Sequence, residues 1–134
     1  MNAIDVALYS TLTGGTALTN MLGGTASVYH IRAPDNADYP YVVFSVQGGG
    51  AENINPSDMR NYLYYVRCYT QTGADNAALI HEQIKALLDK QTLTVTGFTN
   101  IWTRYETEIE MSQELASGVP VYTDGGLYRI RLDT

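Results

Sequence analysis

The sequence is short of cysteine, of basic residues and of long apolar runs, and each shortage excludes a class of protein. Cys68 is the only cysteine, so no internal disulfide is possible, and its apolar and aromatic neighbours predict a buried thiol. The longest uncharged runs contain Gly, Thr and Pro, which is not the composition of a membrane-spanning helix. The segment Met1 to Asp5 lacks the basic and apolar regions of a signal peptide, so we expect assembly in a cytoplasm and no membrane partner.

Basic residues are outnumbered by acidic ones. The chain has 8 Lys and Arg against 14 Asp and Glu, a net charge of −6, and no basic cluster along its length. Nucleic-acid-binding proteins concentrate Lys and Arg on one surface, because phosphate contacts supply much of their affinity. Specific binding of DNA is therefore not expected.

Tyrosine, in contrast, is abundant. Eleven of the 134 residues are tyrosine, and 45% are hydrophobic, which is enough for one folded domain spanning residues 1–134. Because tyrosine combines apolar area with a polar tip, it suits half-buried surfaces and contacts between subunits.

Two patterns predict helices. Ala3, Ile4, Ala7, Leu8 and Leu12 lie on one stripe that ends at Gly14-Gly15, and a further turn or two precedes Gly23-Gly24, so a short N-terminal helical segment is expected. A longer helix runs from Asp75 to Leu88. Its apolar stripe consists of Ala77, Ile80, Ile84, Leu87 and Leu88.

The remaining segments predict strands. The segments 39–46 and 60–70 are rich in aromatic and β-branched residues and form a long hairpin in our interpretation, with Pro40 tolerated at the start of the first strand. Further short strands are expected at 93–96, 101–111, 119–123 and 127–132. The predicted fold class is α+β, a mainly antiparallel sheet with one long helix packed on it and a short N-terminal helical segment.

The tip of that hairpin is glycine-rich. Gly48, Gly49 and Gly50 lack the following lysine of a phosphate-binding loop, and Glu52 would repel phosphate. We expect a flexible loop over 48–58. Two interpretations stay open, an idle hairpin tip and an arm that contacts a neighbouring subunit through Gly48, Gly49, Gly50, Glu52, Asn53 and Asn55.

Three glutamates alternate along the predicted strand over 101–111. Glu106, Glu108 and Glu110 are expected on one face together with Arg104, because side chains alternate across a strand. Arg129 and Arg131 share a face of the last strand and are candidate partners. The glutamates form either a solvated face held by such ion pairs or an acidic surface.

Residues that carry chemistry are scarce. His30 and His81 are the only histidines, and neither forms a metal-binding pair with Cys68 or with the other. No nucleophile elbow occurs, and the glutamates on one strand are a poor acid and base pair. We expect a protein without catalytic activity, metal or cofactor.

The order of these segments resembles the tail-completion (tail terminator) proteins of long-tailed bacteriophages. The likeness rests on a short N-terminal helix ending in glycines, on Val28-Tyr29, on a turn containing Pro34 and on the strand entry Ala37-Asp38-Tyr39-Pro40-Tyr41. It continues through Arg67-Cys68-Tyr69-Thr70, the helix from Asp75 to Leu88 and the closing segment Tyr128–Leu132.

The resemblance implies a structural virion protein at the head-proximal end of the tail. It implies a homo-oligomeric ring, a hexamer, that caps the tail tube, ends its polymerisation and joins a head-completion or neck protein. DNA would pass through without specific binding, and Glu106, Glu108 and Glu110 are the candidate lining. The alternatives are a neck or minor tail component and a small-ligand-binding domain that uses the tyrosines as a pocket.

Overall fold

Five strands form one sheet in the order β1-β2-β3-β5-β4. The computed structural model describes residues 2–53, 58–116 and 118–133, and for some residues near the two hairpin ends it describes the backbone only. The helices are α1 (Ala3–Thr13), α2 (Thr16–Met21) and α3 (Ala74–Leu88). The strands are β1 (Val28–His30), β2 (Tyr41–Asn53), β3 (Asp58–Thr70), β4 (Thr99–Ala116) and β5 (Val119–Asp133).

The predicted fold class is wrong in its balance of helix and sheet. The sheet dominates and curls into a half-barrel, and all of the helices are small. The helix α3 has 15 residues, whereas β4 alone has 18, and β1 pairs with β2 in the parallel sense. A long helix resting on a flat antiparallel sheet is therefore not the architecture.

A pair of glycines explains part of that error. The sequence predicts a break between two short strands at Asp124-Gly125-Gly126, but β5 continues through it. A side chain at Gly125 would collide with the backbone of Val66, and one at Gly126 would lie 2.5 Å from the ring of Tyr105. These glycines permit close packing between neighbouring elements and are not turn residues. The expected strand at 93–96 does not form.

The strands β2 and β3 form the hairpin that the sequence predicts. Their antiparallel register runs from Tyr41 opposite Tyr69 to Asn53 opposite Asp58. The strands β4 and β5 form a second hairpin, and β5 also pairs with β3 along most of its length. As a result β4 is an edge strand.

The helices cover one face of the sheet, and the core lies between them. The apolar stripe of α3 meets the inward residues of β3 and β5. The largest fully buried side chains are Tyr64, Tyr128, Phe44, Leu8, Leu12, Leu18, Ile80, Ile84, Leu88, Ile130, Leu132 and Val42. Within the described ranges, the helices are too short and too polar for any of them to cross a membrane.

Among the residues that the structure describes, no helix lies on the opposite face of the sheet, and we call this face the open face. It is defined by strand alternation: Tyr64, Val66 and Cys68 point to the helices, so Leu63, Tyr65 and Arg67 point away from them. According to the cross-strand register, the open face also carries Tyr41 and Tyr69, and on β5 it carries Leu127, Arg129 and Arg131.

Candidate interaction surfaces

Aromatic side chains form a continuous group at one end of the open face. The rings of Tyr41 and Tyr69 are stacked with their centroids 5.1 Å apart. The centroid of the Tyr39 ring also lies 5.1 Å from that of Tyr41. Tyr29 meets Tyr41 edge-on at 5.9 Å. These rings are partly exposed, and tyrosine is enriched at protein interfaces because it buries much area at a small entropic cost.

Four arginines share the open face with these rings. Cross-strand pairing aligns Arg104 with Arg129 and Trp102 with Arg131, and Arg67 faces Gly125. The guanidinium of Arg67 lies 4.5 Å from the centre of the Tyr65 ring, and that of Arg104 lies 6.0 Å from the Trp102 ring. Such cation–π contacts hold the guanidinium groups against the sheet while leaving their donors available.

One of these arginines forms a strong ion pair. Glu106 accepts two hydrogen bonds from Arg129, at 2.7 Å from Nε and 3.0 Å from Nη2, and Asn61 accepts a third at 2.8 Å from Nη1. The hydrogen bonds from Arg129 lower the pKa of Glu106. Arg129 lies directly opposite Arg104 in the register, where the two like charges repel each other. The bidentate pair with Glu106 neutralises Arg129 and holds it in this position.

The three glutamates of β4 do not form the single acidic ladder predicted from their spacing. The register of β4 against β5 shifts between Tyr105 and Thr107, so Glu106 is the extra residue of a β-bulge. Tyr105 opposes Tyr128 and Glu108 opposes Gly126, and both partners lie on the helix-covered face. Glu106 and Glu108 therefore point to opposite faces, and the side chain of Glu110 lies outside the described residues.

On the helix-covered side, Glu108 joins an acidic group that the sequence did not reveal. Burial raises the pKa of Asp124. The hydrogen bond from the Gly125 amide and the charge of His81 lower this pKa, whereas the charges of Glu108 and Glu82 raise it. Burial and the charge of Glu108 raise the pKa of Tyr105 to about 12. Glu82 and Glu108 are exposed. We call Glu82 and Glu108, with Asp124 behind them, the acidic patch.

The glycines of the predicted loop lie within strand β2. Gly48, Gly49 and Gly50 pair with Leu63, Tyr62 and Asn61 of β3, so the loop expected over 48–58 does not begin at residue 48. Gly49 has φ +112°, and a Cβ there would collide with the carbonyl oxygen of Asn61, so the backbone itself requires glycine. Glu52 and Asn53 continue the strand, and their side chains and all of Asn55 lie outside the described residues.

The outer edge of this part of β2 is open. The short strand β1 pairs with Val42, Val43 and Phe44 only, and the amide of Ile31 adds one hydrogen bond to the Phe44 carbonyl. From Val46 onward, no other strand within the described ranges lies along that edge. Uncharged edges of this kind are able to pair with a strand from another chain.

Two shallow grooves flank the segment between β1 and β2. They measure about 350 and 500 Å³ and share Pro34, Ala37 and Tyr39 in their walls. Both are open to solvent, and they lie beside the aromatic group of the open face. They are the structural features that favour the ligand-binding alternative.

The candidate chemical residues lie apart from one another. His30 contacts Asp5 at 3.4 Å near α1, whereas His81 packs against the Tyr105 ring under α3. Burial raises the pKa of the Cys68 thiol to about 12, and its sulfur donates to the carbonyls of Ala77 and Asp124. In the described ranges no three His, Cys, Asp or Glu side chains group in a way that suits a metal ion.

Sequence reasoning therefore missed both charged surfaces. It placed Arg104 on one face with the glutamates and paired that face with Arg129 and Arg131, but it did not associate Arg67 with them, since these residues come together only when β3, β5 and β4 are neighbours. The available signal was the alternation of Tyr65, Arg67 and Tyr69, which predicts one face rich in interface residues.

Comparison with known proteins supports a specific assignment. A family model described as tail completion protein gp17 matches residues 6–119. A chain of a solved structure described as the virion of a native gene transfer agent particle has a TM-score of 0.73, with 14% identity over 96% of this chain and 93% of that one. A second solved chain has a TM-score of 0.51, with 12% identity over 98% of this chain and 92% of that one.

At such low identity the two structures support the fold alone. No curated protein matches the sequence. The family model covers most of the chain, including the helices, the tyrosine-rich hairpin and β4. The chain therefore belongs to the tail completion protein gp17 family and is a structural component of a bacteriophage-type tail.

Proposed function

We propose that this protein caps the finished tail tube as a homo-oligomeric ring, ends tube polymerisation and provides the joint to the head. The observation that carries the proposal is the open face, a sheet surface with six aromatic rings and four arginines on which no helix of the described residues packs. Tyr, Trp and Arg are the residues that dominate binding energy at protein interfaces. Membership of a tail completion family supports the position at the tail end.

A ring is the assembly that best uses such a surface. Identical subunits that contact each other through two different surfaces form a closed ring when the rotation between neighbours permits. We propose a hexamer, with the tail tube protein on one side and a head-completion or neck protein on the other. This role is structural and requires no catalytic chemistry or cofactor.

The end of the β2–β3 hairpin is a second proposed contact within the ring or with the tube. Its support is the open, uncharged edge of β2 beside Gly48, Gly49 and Gly50. Replacing residues 54–57 with the two-residue turn Asn-Gly is expected to reduce ring or tail attachment. Normal attachment after the replacement would reject this contact.

The proposed function is tested by removing the gene from its phage or prophage. Electron microscopy of the lysate then gives the distribution of tail lengths. A terminator predicts overlong tubes without heads, and supply of the protein from a plasmid should restore normal length. Tails of normal length that are not joined to filled heads would indicate a neck component and contradict termination. Unaffected virions would reject both roles.

A further inference from the structure

Part of the described charge of this acidic protein is separated between the two faces of its sheet. Of the eight Lys and Arg in the chain, four lie on the open face: Arg67, Arg104, Arg129 and Arg131. The acidic patch of Glu82, Glu108 and Asp124 lies on the opposite, helix-covered side. The net charge of −6 therefore conceals a subunit with a basic face and an acidic one.

Two of the arginines have no acidic partner among the described residues. Arg67 and Arg104 contact the rings of Tyr65 and Trp102, and neither has a carboxylate within ion-pairing distance in the part of the chain that the structure describes. Arg104 is exposed. Collecting like charges on one strand pair costs free energy in the isolated subunit, so an acidic partner would stabilise this surface.

In the acidic patch, the carboxylates repel one another. Glu108 and Glu82 act on the buried carboxyl group of Asp124 with the same sign of charge, and both are exposed. His81 of α3 opposes this effect, and the ammonium group of Lys85 on the same helix lies 4.6 Å from the centre of the Tyr105 ring. A cationic surface from another molecule would relieve this repulsion.

We propose that the open face of one subunit docks on the acidic patch of a second copy, through Arg67 and Arg104 against Glu82 and Glu108. The two faces of a sheet point in opposite directions, so this contact is heterologous and passes from subunit to subunit in one direction. It specifies how the ring of the proposed function is joined, and it rests on that function. The stacked tyrosines beside the arginines supply the apolar part of the contact.

Charge exchange tests the contact directly. The first variant carries Arg67→Glu and Arg104→Glu, and the second carries Glu82→Lys and Glu108→Lys. Each is supplied alone to the phage lacking the gene, and each is expected to lower the titre of infectious particles at least about tenfold, since like charges then meet at every contact. The two variants supplied together, and one chain carrying all four changes, are expected to restore the titre, because opposite charges face each other again.

The controls change the same charge elsewhere. Lys90→Glu, and separately Asp75→Lys, alter exposed residues that belong neither to the open face nor to the acidic patch and should leave the titre unchanged. Thermal unfolding of each purified variant checks that it folds. If Arg67→Glu disturbs folding through the loss of its contact with Tyr65, Arg104→Glu alone replaces the first variant.

Two results would overturn the contact: charge variants that support wild-type titres alone, or folded variants that fail alone and are not rescued by each other or by the fourfold exchange. Binding of a labelled DNA duplex that depends on Arg67 and Arg104 at 0.15 M salt would instead assign the open face to nucleic acid. Mixing the two purified variants and measuring their mass at low salt tests the contact without reference to tails. An oligomer in the mixture alone would support the contact even if tail-length data rejected the terminator role.

Discussion

The hydroxyl of Tyr64 donates a hydrogen bond of 2.8 Å to the carboxylate of Asp5, which joins the centre of the sheet to the first helix across 59 positions of sequence. Asp5 also closes the N-terminal capping box of α1, since its carboxylate accepts from the Asn2 amide and its own amide donates to the Asn2 side chain. His30 approaches the same carboxylate at 3.4 Å. One buried side chain therefore holds α1, β1 and β3 together.

Removing the Tyr64 hydroxyl should weaken this junction. Tyr64→Phe leaves the buried carboxylate of Asp5 without one of its donors, and a lost hydrogen bond to a charged group costs about 1.5–3 kcal/mol. Urea unfolding measures the change in the free energy of unfolding. Tyr29→Phe is the matched control, because the Tyr29 ring contacts Tyr41 at the surface and should tolerate the change. Equal effects of the two substitutions would contradict the role of Asp5.

Gly49 and Gly48 should respond differently to alanine. Gly49 has φ +112°, and a Cβ would meet the backbone of Asn61, so Gly49→Ala is expected to cost about 1–3 kcal/mol in the free energy of unfolding. Gly48 meets open space, and Gly48→Ala should stay within about 0.5–1 kcal/mol of wild type. Chemical unfolding of the two variants decides the matter. A similar stability for both would mean that β2 does not pair with β3 in the register described.

The thiol of Cys68 should be unreactive in the folded protein. Burial raises its pKa to about 12, so hardly any thiolate forms at pH 8, and the sulfur is shielded from solvent. A thiol-specific disulfide reagent is expected to label it only after denaturant unfolds the chain. Rapid labelling under native conditions would contradict the packing of β3 against α3.

The stability of the protein should carry a pH dependence from Asp124. Because its pKa is raised by burial, the folded protein binds this proton more tightly than the unfolded chain does. Between the ordinary pKa of aspartate, about 3.9, and the raised value, this group makes stability fall as pH rises. Asp124→Asn should therefore raise the melting temperature at pH 7 and lose that advantage at pH 3. An equal change in melting temperature at pH 7 and at pH 3 would exclude titration of Asp124 as the cause.

The sequence predicts the β2–β3 hairpin and the apolar stripe of α3 well, because both depend on local periodicity. Alternating aromatic and β-branched residues favour a strand wherever they occur, and a 3.6-residue stripe favours a helix. Cys68 follows the same logic, since its apolar neighbours on β3 predict a buried thiol. The family assignment has a similar origin, because it follows from the order and spacing of these segments.

Other features depend on which strands are neighbours. Gly125 and Gly126 have the composition of a turn, yet they lie in a continuous strand because the backbone of Val66 and the ring of Tyr105 leave no space for side chains. Glu106 and Glu108 are two positions apart, yet a bulge opposite β5 directs them to different faces. Neither result follows from the period of an isolated strand.

The sequence by itself determined the local elements, the absence of a disulfide, the acidic net charge and the resemblance to tail completion proteins, because each is a property of short segments or of composition. Only the tertiary structure decided that β5 separates β3 from β4, so that Arg67, Arg104 and Arg129 share one face while Glu108 lies on the other. The physical reason is that the face a side chain occupies is set by the register of hydrogen bonds with its neighbours. One bulge reverses that face for the residues that follow it, up to the next irregularity of the strand.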